Sequence, residues 1–204
     1  MPDPVRPATF DAKILARAFP PGVGPQAEVA ARRAMDWVRA SYTSPQFAVR
    51  VSGETVLIPQ RIHFADFGLD APVRSVEAQM AHCLLTRSTD GYERQRAFGT
   101  ILTLNQPWSI PFLVALIGEY VIEILDDAHA ALPLLDRAMV GQFLCENPEF
   151  HRLTQARVVS YWDAYHRFRH HGHDYVGFKL LEALASMARD QGAAAMPKPL
   201  RRSR

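Results

Sequence analysis

Lysine is nearly missing from this chain: of 23 basic residues only Lys13, Lys179 and Lys198 are lysine. Genome composition explains such an arginine bias as readily as binding chemistry does, so it carries little weight. Cysteine is also scarce. Cys83 and Cys145 have no CxxC spacing, which excludes a zinc ribbon or a dithiol redox motif, and in their apolar helical surroundings they read as buried free thiols of a reducing cytosol. The longest apolar run, Ile110 to Gly118, is followed by Glu119 and Glu123, and falls well short of the roughly 20 residues a membrane span needs. Met1 to Pro7 shows no basic stretch leading into an apolar one, so no signal peptide is expected. There is no GxSxG, Walker loop, GxGxxG or HExxH, and hence no diagnostic catalytic motif. These absences lead to the expectation of a cytoplasmic, bacterial protein without a membrane segment.

What is present suits an ordinary globular protein: 204 residues, 48% hydrophobic and 22% charged, enough for one domain with a sizeable core. Charge is unevenly placed. Lys198, Arg201, Arg202 and Arg204 crowd the last stretch without an acid, and setting them aside leaves 19 basic against 21 acidic residues, near −2. Residues 1–191 are therefore expected to form a single globular domain and 192–204 a disordered basic tail. The body shows no visible excess of positive charge for phosphate neutralisation, so nucleic acid is possible as a partner but not favoured.

Periodicity predicts mostly helix. Gln26 to Ser41 carries Val29, Ala30, Ala34, Trp37 and Val38 at helical spacing. The period then changes to two around Ser52-Gly53-Glu54, predicting a β-hairpin over about 47–58, with Phe47, Val49 and Val51 on one face. An isolated hairpin is marginal in water, so it is expected to lie against helices. Further helices are expected over Pro72–Leu85, over Asp90 onward with Asp90 or Thr89 as its cap, over Ile110 to about Ala130, Pro133–Cys145, Phe150–His171 and Tyr175–Asp190. Ser109 is read as the cap of the Ile110 helix, and Asp174 as the cap of the last. The fold class expected is mainly α, either a multihelical bundle or an irregular helical repeat, with one N-terminal hairpin.

The stretch from Ser88 to Leu125 dominates this layout: a helix, a Pro107-Trp108 turn, then the most apolar helix in the chain. Asp90, Arg94, Ala97, Ile101 and Leu104, followed by Pro107 and the helix from Ile110, resemble a HEAT-type helical repeat. The next two helices can stack as a second unit, so the resemblance covers about residues 88–171. It implies a scaffold or a binding surface, although some helical-repeat proteins are DNA-repair enzymes.

Three groups of residues are candidates for a site. Asp163, His166 and His170 fall at i, i+3 and i+7 on one helix face, with His173 just beyond Gly172; zinc or iron favours such convergent imidazoles and carboxylates. The dipole of a helix C-terminus also favours histidine and arginine there, which outweighs the metal reading. Glu119 and Glu123 stand one turn apart in an apolar helix. No Glu-x-x-His partner exists for a di-metal site, and Arg87, Arg94 or Arg96 is expected to pair with one of them. Trp162, Tyr165 and Phe168 are assigned to the core, whereas Trp108 and Tyr161 form a possible partner surface.

The first functional expectation is a non-enzymatic protein-binding or scaffold module, acting with a protein partner or as a homo-oligomer and needing no cofactor. The alternatives are a metal-dependent enzyme using the His/Asp cluster and a nucleic-acid-binding helical-repeat protein.

Overall fold

A computed structural model of the chain describes residues 11–39, 45–65, 73–102 and 104–195. The expected irregular segment 1–9 and the basic residues 198–204 lie outside them. Nine α-helices and one antiparallel hairpin are described, a mainly α fold with a small sheet. No helix among the described residues is long and apolar enough to cross a membrane.

Helix α1 (Ala12–Ala16) starts where the Asp11 carboxylate accepts the Ile14 amide at 2.8 Å. Helix α2 (Gly24–Met35) buries Ala27, Ala30, Ala31 and Ala34 against its neighbours α1 and α3. That differs from the expected face, since Val29 is exposed; a stripe of alanines lets backbones approach more closely than a valine ridge allows. The helix also stops early, because Val38 turns away to pair with Phe64.

Strands β1 (Gln46–Val51) and β2 (Glu54–Pro59) pair in register, Val49 opposite Val56 and Val51 opposite Glu54. Ser52 and Gly53 both take positive φ, 52° and 85°, as a two-residue turn matched to strand twist requires. Asn147 serves as a third strand for the hairpin. Its Oδ1 accepts the Arg50 amide at 2.7 Å and its Nδ2 donates to the Arg50 carbonyl at 2.8 Å. Phe47 stacks on Phe150 at 5.3 Å between centroids. The segment after β2 does not lengthen the ribbon. Ile62 instead forms a parallel bridge with Ser88, and Phe64 pairs with Val38.

Helix α3 (Val76–Leu85) is capped by Ser75, and α4 (Gly91–Ile101) by Asp90, whose Oδ1 accepts the Tyr92 amide at 2.7 Å. A Pro107–Ser109 turn leads into α5 (Ile110–Ile117), every residue of which is buried. Ser109 donates to the Gln106 carbonyl rather than capping α5. The single helix expected over 110–130 is two: α5 ends at Gly118, Val121 is extended, and α6 runs Ile122–Ala131. Apolar residues continue in phase across the break, which hides it from periodicity. Gly118 does not host a neighbouring backbone either, since a Cβ there would meet the Arg157 side chain at an ordinary 3.5 Å.

Helix α7 (Arg137–Glu146) is capped by Asp136, and α8 (Pro148–Tyr161) continues into one π-helical turn, Trp162–His166. The last helix, α9 (Val176–Ala195), includes the first residues assigned to a tail. Asp174 closes a 3-10 turn two residues before α9. Helix α7 packs tightly on α9: a Cβ on Gly141 would fall 2.3 Å from the Met187 carbonyl oxygen, so only glycine fits. Helix α4 packs chiefly on α3 and α6, and α7 chiefly on α9. The first four helices pack in succession, α1 on α2, α2 on α3 and α3 on α4, whereas α7 packs on α9 more than on the next helix, α8.

Candidate functional site

The break between α5 and α6 projects Glu119 into a buried cluster of arginines. Its carboxylate is 3% exposed. Arg61, just past β2, donates Nη2 to both carboxylate oxygens at 2.8 and 2.7 Å. Arg87, at the end of α3, places Nη1 3.9 Å from Oε1, and Arg94 of α4 places Nη2 3.7 Å from Oε2. Arg157 of α8 adds a fourth guanidinium close enough to bear on Arg87 electrostatically, and it has no carboxylate partner among the described residues.

The arginines also tie the chain together. Arg87 donates Nε to the Pro59 carbonyl at 3.2 Å and Nη2 to that of Gln60 at 2.7 Å. Arg94 donates Nη1 to the Ser88 and Thr89 carbonyls. The two segments so linked are those joined by the Ile62–Ser88 bridge, which brings residues distant in sequence onto one wall.

These bonds do not satisfy the cluster. Arg87 Nη1 and Arg94 Nε and Nη2 are buried without a hydrogen-bond partner, although buried polar groups are nearly always paired. Among the described residues the charge is not balanced either: Arg61, Arg87, Arg94 and Arg157 gather round the single carboxylate of Glu119. Burial pulls the Arg87 guanidinium down to about 9; Glu119 opposes that shift, and Arg61, Arg94 and Arg157 add to it. At neutral pH it stays cationic.

In front of the cluster lies a cavity of about 190 Å³, lined among others by Phe47, Arg61, Arg87, Glu119, Arg157 and Tyr161. That exceeds the roughly 10–15 Å³ needed to admit one water. Excess positive charge, unpaired donors and an accessible volume coincide here, and the arrangement can accept an oxyanion by the forked geometry of guanidinium groups.

The other sequence candidates are placed differently. Arg96 lines a separate groove of about 590 Å³ with His63 and Tyr92. Glu123 is exposed in the first turn of α6, whereas Glu119 lies in the break before that helix. Asp163 is exposed and paired with Arg167 at 2.9 Å. His166 hydrogen-bonds through Nε2 to the Tyr120 carbonyl at 3.0 Å and stacks on Tyr175 at 5.3 Å. His170 has its ring 6.2 Å from that of His166. Among the described residues no three His, Cys, Asp or Glu side chains are grouped to hold a metal ion; the side chain of His173 is outside them.

Trp108 is not a partner surface. It is buried, edge-on to Phe19 at 6.0 Å. Tyr165 and Phe168, assigned to the core, are 62% and 87% exposed, because the π turn and the residues after it carry them to the surface. Tyr161 is half-buried and lines the arginine cavity. Arg61 and Arg157 were invisible as partners in sequence, since neither lies near Glu119 along the chain. No family model, curated protein or solved structure matches this chain.

Proposed function

We propose that this is a binding protein whose pocket, lined by Arg61, Arg87 and Arg157 with Arg94 beside Glu119, takes up an anionic group, phosphate being the best fit. The observation that carries it is the imbalance among the described residues: four guanidinium groups gather round one carboxylate, and Arg87 Nη1, on a residue lining the cavity, is buried without a hydrogen-bond partner. Burying charge is costly unless it is compensated, and a bound oxyanion supplies both the charge and the acceptors. Binding rather than chemistry suits this set, because arginine does not give up its proton near neutral pH and Arg61 occupies both Glu119 oxygens. A cytoplasmic setting belongs to the same proposal and is supported by the two free thiols.

The test is thermal unfolding in chloride and in phosphate at matched ionic strength. A ligand at a hundredfold its Kd stabilises by about 2.7 kcal/mol, which raises Tm by about 5–10 °C for a chain of this size. Arg157→Ala removes a cation with no ion partner to lose, and should abolish most of that rise while leaving Tm in chloride nearly unchanged. Equal Tm values in the two salts for the parent protein would count against the proposal.

A further inference from the structure

We infer that the anion is the phosphate of a nucleoside monophosphate, held with its base against Tyr161; this rests on the anion-binding reading above. Arg157 and Tyr161 are both on α8 and both line the cavity. Residues four apart on a helix are neighbours on one face, so cationic floor and aromatic wall are continuous. Phe47 lines the same cavity, with the Arg87 guanidinium carbon 5.9 Å from its ring centroid.

Tyr161 also belongs to a larger aromatic platform. Its ring centroid lies 5.8 Å from that of Tyr120 and 6.1 Å from that of Tyr165, and those two are 5.7 Å apart. Tyr120 and Tyr165 are 47% and 62% exposed. The three rings are tilted or edge-on to one another, so a planar ligand stacks on one ring, and Tyr161 is the one of the three that lines the cavity.

The chemistry of the two halves selects the ligand. Guanidinium groups bind phosphate oxygens in pairs, and aromatic rings stack on bases of any identity. A nucleoside monophosphate carries both groups, separated by a sugar. Inorganic phosphate uses only the arginines. Phosphotyrosine bears its ring directly on the phosphate ester oxygen, without a sugar between them, and is the competing ligand that the test decides. A long single strand needs a track of cations beyond one pocket, and the body of the chain carries no net basic excess.

The experiment is isothermal titration of the full chain, at constant ionic strength, with inorganic phosphate, ribose phosphate, adenosine and cytidine monophosphates, phosphotyrosine and a phosphorylated oligonucleotide. The expected result is both mononucleotides binding about tenfold tighter than ribose phosphate, the increment of one base stacked on one ring. In Tyr161→Leu the mononucleotides should bind no tighter than ribose phosphate does to the same variant; Tyr161→Phe should retain the advantage. Mononucleotides no tighter than ribose phosphate, or phosphotyrosine or the oligonucleotide tighter than either, would overturn the assignment while the anion site stands. The parent ligand series decides this even if Tyr161→Leu does not fold. Failure of every phosphate compound to bind would overturn the anion site itself.

Discussion

Replacing Glu119 with glutamine removes the one negative charge that the described residues place in the arginine cluster while keeping the side chain's size. The carboxylate is 3% exposed, accepts two hydrogen bonds from Arg61, and lies within 4 Å of Arg87 and Arg94. Removing one partner from such a buried arrangement costs about 3–5 kcal/mol, because the remaining charges are left uncompensated. For a chain of this length that lowers Tm by about 6–20 °C. The loss should be largest in a chloride buffer and should shrink in phosphate, since a bound anion replaces the missing charge among four guanidinium groups. Calorimetry or a circular-dichroism melt in the two salts reads both effects. A Glu119→Gln protein as stable as its parent would refute the charge argument. A loss of equal size in both salts would mean that removing the carboxylate leaves phosphate affinity unchanged, against the view that carboxylate and anion share the same guanidinium groups.

Four further outcomes follow from the packing. His82 donates Nδ1 to the Ala78 carbonyl at 2.9 Å and buries Nε2 without a partner; burial, with Arg33 nearby, holds its folded pKa below 6.5 against the pull of Ala78. The unfolded chain therefore takes up that proton first on acidification. The contribution is full above pH 6.5 and is lost as pH falls toward the folded value, so Tm should drop between pH 7.5 and 5.5 by less in His82→Gln than in the parent; equal drops would contradict this. Burial pushes the Cys83 thiol up, whereas Cys145 is exposed, so a thiol reagent should titrate one group in the native protein and both after denaturation. Gly141→Ala forces a Cβ onto the Met187 carbonyl and should cost at least about 1–3 kcal/mol in a melt. Gly99→Ala meets nothing within 4 Å and should instead stabilise α4 by up to about 1 kcal/mol.

Much of the fold is legible in the residues, because helix and hairpin patterns are local. The alternation from Phe47 to Val51 and the Ser52-Gly53 turn mark the hairpin, and Asp90 marks the start of α4. What local patterns cannot carry is where a helix yields to a distant side chain. The apolar run through Ile117 and Ile122 stays in phase, yet the chain breaks between them and Glu119 meets Arg61, Arg87 and Arg94. The apolar surroundings of Glu119 announce a partner. They do not announce a surplus of partners, which depends on the Ile62–Ser88 bridge and on the approach of α8. Aromatic residues mislead for a related reason. Tyr165 and Phe168 continue the helical spacing of α8, but the π turn rotates them out to solvent.

The central claim is that the arginine cluster holds an anion, and equilibrium dialysis with radiolabelled phosphate measures this directly. The parent protein should retain one phosphate per chain, and Arg61→Ala and Arg157→Ala should each lose most of it while remaining folded. No retained phosphate, or retention unaffected by either substitution, would contradict the account.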